Sequence, residues 1–230
     1  MKAVLRPCPI CGNPPQAPDF LCKNCREKVE AYNRLPKCAI CGQPKGMTFL
    51  CNHCAEKKPS FTLAASCYHY DGAFRQAMLS YKFHGEFYRA NGLSRLLLEQ
   101  LEKMKLEIDC ITAVPVDPKT YWKQKYNAPL ELAYLVAQKL KLPCYPNLLL
   151  KKWFAKQQST LKASQRKTNV KGNFYFCRPY ARKIKGKHIL LLDDVFTTGS
   201  TANECSRILK KHGAASVYIL TLLGNASKET

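Results

Sequence analysis

Acidic residues are scarce in this chain. Sixteen Asp and Glu stand against 37 Lys and Arg, a formal net charge of +21. Such an imbalance excludes an acidic surface. It fits either a lysine-rich solvated face or, more sharply, a polyanionic partner such as nucleic acid or a phosphorylated ligand. The shortage is complete from Lys151 to Lys187, where twelve Lys or Arg occur and no acid at all. Trp153, Phe154, Phe174, Tyr175 and Phe176 lie in the same stretch. Cations beside aromatic faces are how single-stranded nucleic acid is held without base choice, although strand aromatics also serve as core. A long apolar run is missing too. None approaches the roughly 18 residues of a membrane span, so no membrane insertion is expected. The start, MKAVLRPCPICG, reaches cysteine and proline at once and lacks the apolar core of a secretory signal, so a cytoplasmic setting is expected.

Cysteine, by contrast, is abundant, with thirteen residues. In a cytoplasmic chain that points to metal rather than disulfides. Two segments echo each other, CPICGNPPQAPDFLCKNC and CAICGQPKGMTFLCNHC. Each reads Cys-x-x-Cys-Gly, a proline-bearing turn, then Phe-Leu-Cys-x-x-Cys. The pairs are Cys8/Cys11, Cys22/Cys25, Cys38/Cys41 and Cys51/Cys54. Each pair can set two thiolates against one ion, and two pairs complete a tetrahedron. Gly12 and Gly42 permit the tight knuckles, and the polar stretches after Cys25 and Cys54 suit helix starts. Two structural Zn²⁺ sites are expected, each closed by four cysteines and so not catalytic. Sequential pairing is favoured because each repeat carries its own four ligands; a cross-braced pairing, first pair with third, is also compatible with the spacing. His53 lies inside the last knuckle, but four thiols already suffice. Metal binding should supply much of the folding energy of so short a segment. Cys67, Cys110, Cys144, Cys177 and Cys205 are isolated and read as buried structural thiols.

Near Lys57 to Ser60 the texture changes, dividing the chain into a zinc-binding module, 1–58, and a second domain, 59–230. FTLAASCYHY, IDCITAVPV, HILLLD and ASVYILTLL read as strands, with PNLLLKKW a further candidate. GAFRQAMLSYKF, EFYRANGLSRLLLEQLEKMK, NAPLELAYLVAQKL and STANECSRILKKHG read as helices. In the third helix Leu130, Ala133, Tyr134, Ala137 and Leu140 form the expected apolar stripe. In the fourth, Ala202, Cys205, Ile208, Leu209 and His212 do, with a stop at Gly213. Alternating helices and uninterrupted strands predict an α/β fold with a parallel sheet covered on both faces. Ligands of such sheets bind beyond the carboxyl ends of the strands.

The most informative stretch is ILLLDDVFTTGST, Ile189 to Thr201. Ile189 to Leu192 are expected as strand, Asp193 and Asp194 at its carboxyl end, and Val195 to Ser200 as a loop before a helix. Backbone N–H groups of such a loop and of the helix start form a phosphate cradle. Gly199 allows close approach, and Thr197, Thr198, Ser200 and Thr201 add hydroxyls. Helix capping alone would explain one or two of these residues. There is no Gly-x-x-x-x-Gly-Lys, which excludes a nucleoside triphosphate P-loop. Phosphate donors beside carboxylates fit a sugar phosphate, whose hydroxyls the acids can accept.

This stretch closely resembles the phosphoribosyl pyrophosphate signature of type I phosphoribosyltransferases. The resemblance implies that Asp193 and Asp194 contact the ribose 2′ and 3′ hydroxyls as the catalytic pair. It implies that Val195 and Thr197 to Thr201 bind the 5′ phosphate, with Mg²⁺ accompanying the ligand. Phe196 is bulkier than the usual aliphatic. QSTLKASQRKTNVKGNF is similar to the pattern of ComF-type competence proteins at Gln158, Leu161, Arg166, Asn169, Val170, Gly172 and Phe174. YKFHG, Tyr81 to Gly85, and AVPVDP resemble further elements of that family, as does the double cysteine module. Where the family has Arg-Gly-Phe-Asn-Gln this chain has QKYNAP, with Gln124 and Lys125 in place of Arg and Gly; Lys119, Lys123 and Lys125 are the local cations. The resemblance implies a phosphoribosyltransferase-like domain and a role in DNA uptake and transformation, with single-stranded DNA and a helicase-like competence protein as partners. It makes Lys119 a ligand contact and Lys162, Arg166, Lys167 and Lys171 a basic cover over diphosphate or DNA. If transfer occurs, positioning and charge stabilisation would carry it. The other reading is a metabolic phosphoribosyltransferase of nucleobase salvage type with zinc as scaffold.

Overall fold

The computed structural model describes residues 6–15, 17–46, 48–83, 86, 88–117, 122, 127–152, 170 and 172–225. Its N-terminal part carries α1 (Lys23–Arg34) and α2 (Asn52–Glu56), each starting directly after a cysteine, Cys22 and Cys51, that takes the N-cap position. Then come β1 (Leu63–His69), α3 (Gly72–Phe83), α4 (Arg89–Met104), β2 (Cys110–Ala113), α5 (Ala128–Leu140), β3 (Leu149–Lys151) and β4 (Phe174–Phe176). A short α6 (Ala181–Ile184), β5 (His188–Phe196), α7 (Ser200–Lys211) and β6 (Ser216–Gly224) complete the order.

The continuous apolar strands have one solution, burial on both faces. β1, β6, β5 and β2 lie side by side in that order, every pairing parallel. Leu190, Leu192, Leu220 and Leu222 join α3, α4 and α5 in one core; Ile189, Leu191, Val217 and Ile219 join α7 in the other. α7 buries Ala202, Cys205, Ile208 and Leu209 as its periodicity predicts, and it ends in a turn where Gly213 has φ +99°. His212 closes the stripe by stacking on Phe176 at 4.2 Å. Asn127 caps α5, its side chain accepting from the Leu130 amide at 3.2 Å.

Several expectations need correction. The buried face of α5 is Leu132, Ala133, Val136 and Ala137, while Tyr134 and Leu140 are 44% and 37% exposed. The helix is apolar over so much of its circumference that spacing alone does not choose the face; packing against α4 and β2 does. β5 does not stop at Leu192 but runs to Phe196, because β6 continues beside it and pairs Asp193 with Thr221 and Phe196 with Gly224. The PNLLL strand stands outside the main sheet, as β3 antiparallel to β4. Of the isolated cysteines, Cys67, Cys110 and Cys205 are buried, but Cys144 and Cys177 are only half-buried. Phe174 and Phe176 are core, which leaves Tyr175 as the exposed aromatic of that strand; Trp153 and Phe154 lie outside the described residues.

Candidate functional site

The carboxyl end of β5 opens into a cleft of about 260 Å³. Asp193 and Asp194 come from the strand, Thr201 from the first turn of α7, and Val114 to Val116 from the loop after β2. Lys82 enters from the end of α3 and Lys151 from the end of β3. Two acids and two cations thus face one space. Lys82 forms an ion pair with Asp194, whose side chain is only 12% exposed. Lys151 lies 3.7 Å from the buried Asp117. Burial pushes the Asp193 carboxyl up to about 7, against the opposing pull of Lys82 and Lys151. Burial likewise draws the Lys82 ammonium downward, partly offset by Asp193. Asp193 also accepts the Asp194 amide at 2.8 Å, which fixes its carboxylate against the backbone.

Next to the acids the chain turns sharply into α7. Gly199 holds φ +71°, and a Cβ there would sit 2.6 Å from the Phe196 ring. Phe196 itself packs edge-on to Phe61 at 5.9 Å. The bulky ring therefore fills the space under the turn, and glycine above it is a steric requirement. Thr198 and Ser200 hydroxyls meet at 2.8 Å. Thr197 and Thr198 are exposed, with Gly199, Ser200 and Thr201 partly so. The open amides of the first turn and the helix dipole favour an anion at this corner.

The cysteines form two sequential clusters, Cys8, Cys11, Cys22 and Cys25, and Cys38, Cys41, Cys51 and Cys54, with the sulfurs of each set within 4.8 Å of one another. A tetrahedral thiolate site with bonds of about 2.3 Å has edges of about 3.8 Å; Cys11–Cys22 and Cys41–Cys51 lie 3.4 and 3.7 Å apart. Number, spacing and softness of the donors fit a bound metal ion. The Cys51 amide donates to the Cys38 sulfur at 3.4 Å, as thiolate sites commonly use backbone N–H groups. Neither cluster stands apart from the sheet. Arg26 bridges Asp19 at 2.6 Å and Glu99 of α4 at 2.7 Å, and Arg89 donates to the Pro9 carbonyl at 2.6 Å. The second knuckle lies on the β1 edge: the Ala64 amide donates to Ile40 O at 2.8 Å, and a Cβ on Gly42 would meet Ala64 O at 2.2 Å. The repeats therefore diverge in use. Phe20 of the first is buried under Arg95, while the equivalent Phe49 of the second is 79% exposed.

Comparison with known proteins joins these parts. Residues 126–230 match the phosphoribosyl transferase domain model. Competence protein F of Haemophilus influenzae is 26% identical over 90% of this chain and 92% of its own length. DNA utilization protein YhgH of Escherichia coli K12 is 27% identical over 88% of this chain and 89% of its own. Competence protein ComFC of Streptococcus pneumoniae is 27% identical over 67% and 64%. The chain is a homologue of these competence and DNA utilization proteins and carries a phosphoribosyl transferase domain. Its parallel sheet is the phosphoribosyltransferase-type fold.

Asp193, Asp194 and Thr201 share the cleft, and Val195 to Ser200 connect them along the chain. Lys119, Lys162, Arg166, Lys167 and Lys171 lie outside the described residues. The described Gly172 donates its amide to Glu204 of α7 at 3.0 Å. Sequence reasoning gave no site role to Lys82, Lys151 or Asp117. Lys82 was visible only as part of the YKFHG likeness, and Lys151 only as one of twelve cations. Among the described residues, no helix is long and apolar enough to cross a membrane.

Proposed function

We propose that the cleft binds phosphoribosyl pyrophosphate and that the chain serves DNA uptake in transformation, a reading supported by relatives named for competence and DNA utilization. The observation that carries this reading is the meeting of an acid pair and a hydroxyl-rich helix start in one cleft with two lysines. On this reading Asp193 and Asp194 accept the ribose hydroxyls. The amides and hydroxyls from Val195 through Thr201 take the 5′ phosphate. Lys119 contacts the ligand, and the segment bearing Lys162, Arg166, Lys167 and Lys171 covers the diphosphate or meets single-stranded DNA. Mg²⁺ would neutralise part of the diphosphate charge, with the diphosphate oxygens as its ligands while Asp193 and Asp194 accept the ribose hydroxyls. The two cysteine clusters hold structural Zn²⁺. The division at 58/59 remains our organisational reading, with the knuckles docked on the second domain.

Calorimetry tests the site. Phosphoribosyl pyrophosphate with Mg²⁺ should release heat with the natural chain, and Asp193→Asn with Asp194→Asn should abolish it. Equal heats would sink the assignment. For DNA, single-strand anisotropy should weaken steeply across a salt series; a flat response excludes phosphate contact. Product analysis with each nucleobase separates a transferase from a binder.

A further inference from the structure

The Lys82–Asp194 pair has no place in a site whose only task is to offer carboxylates to sugar hydroxyls. Asp194 is 8% exposed, and its partner is a cation brought in from another element, the last turn of α3. A carboxylate can accept more than one hydrogen bond, but only 12% of the Asp194 side chain is exposed, so a ligand hydroxyl that reaches it competes with Lys82 for the accessible oxygen. Once displaced, Lys82 is an ammonium inside a cleft that Val114 to Val116 also line. A buried charge left without its partner is strongly unfavourable. On a ribose ring the 2′ hydroxyl and the C1 substituent are on neighbouring carbons. A group at C1 therefore lies within a few ångströms of whatever holds the 2′ hydroxyl.

We infer that Lys82 is a specificity-determining cation with two positions, paired with Asp194 in the free protein and transferred to an anionic substituent at ribose C1 when sugar hydroxyls occupy the acid pair. This rests on the sugar-phosphate reading of the cleft. A ligand with an uncharged C1 hydroxyl displaces the lysine and leaves it unpaired. A ligand with a diphosphate there re-pairs it. The device selects phosphoribosyl pyrophosphate over ribose 5-phosphate by an exchange of partners. Lys151 stays with Asp117, which makes Lys82 the cation released by the exchange.

The test measures dissociation constants of phosphoribosyl pyrophosphate and ribose 5-phosphate, in Mg²⁺ buffer, for the natural chain, Lys82→Met and Lys82→Arg. The natural chain should prefer the diphosphate. Lys82→Met should narrow that preference by roughly tenfold or more, weakening the diphosphate while leaving ribose 5-phosphate equal or tighter. Lys82→Arg should keep the preference, and it guards against a Met variant that fails to fold, as judged by its unfolding transition. Equal weakening of both ligands, or an unchanged ratio, overturns the exchange while the sugar-phosphate reading stands. Loss of the preference in a folded Lys82→Arg also overturns it. Failure of the natural chain to bind either ligand overturns both.

Discussion

Asp193→Asn should make the ligand-free protein more stable, and increasingly so as pH rises. Burial holds the Asp193 carboxyl at about 7, against an ordinary 3.8. Between those two values the folded chain keeps a proton that the unfolded chain has released. Stability therefore falls as pH rises through this window and levels off above about 7. At about 1.36 kcal/mol per pH unit, the charged carboxylate costs at most about 4 kcal/mol above pH 7. About 2 kcal/mol of that develops between pH 5.5 and 8. Residual solvent contact at the cleft mouth brings the real figure below this ceiling. Asn keeps the oxygen that accepts the Asp194 amide and carries no charge to bury. Urea unfolding of both proteins at pH 5.5 and pH 8 measures the effect. The variant's advantage should grow by about 1 to 2 kcal/mol across that interval. Both proteins carry the same cysteine clusters, so metal-linked pH effects cancel. A constant difference at the two pH values, or a variant less stable at pH 8, would refute the reasoning. The same substitution should weaken phosphoribosyl pyrophosphate binding, trading function for stability.

Gly199→Ala should abolish ligand binding, because the Cβ meets the Phe196 ring and φ +71° is strained for alanine; calorimetry reads it. Gly42→Ala should lower the unfolding midpoint through its clash with Ala64 O, at a cost of a few kcal/mol. Arg26→Ala should cost about 1–2 kcal/mol, since it unties Asp19 from Glu99 of α4 across a partly exposed site. Metal analysis should return two zinc equivalents, and chelation should lower the unfolding midpoint of the entire chain, because Cys8, Cys22 and Cys25 share a core with α4 and the sheet.

Strands and metal spacing were legible for one reason. Ile189 to Leu192 and the four Cys-x-x-Cys pairs are local patterns whose chemistry permits few arrangements. The repeat favoured sequential clusters, which are the ones formed, although spacing alone also serves a cross-braced pairing. The α5 face was missed because Leu132 and Val136 compete with Leu130 and Tyr134 at the same period. Lys82 and Lys151 could not have been singled out. They lie 112 and 34 residues along the chain from the acids beside them, Asp194 for Lys82 and Asp117 for Lys151, and only folding brings them to one wall. Phe196 looked like a departure in the motif, yet it is the residue on which the Gly199 turn rests.

The two acids in so basic a chain now have a physical role. A cleft lined by lysines alone would attract any anion, inorganic phosphate included, and the field of a +21 protein would fill it indiscriminately. Asp194 holds Lys82, and Asp117 lies beside Lys151, so a bare phosphate meets cations that already have partners. Releasing Lys82 requires hydroxyls to replace it on Asp194. A ligand that brings only anions, or only hydroxyls, satisfies half of the wall. One that brings both on adjacent carbons satisfies all of it. The buried charge on Asp193, which destabilises the empty protein above pH 7, is then the cost of that discrimination.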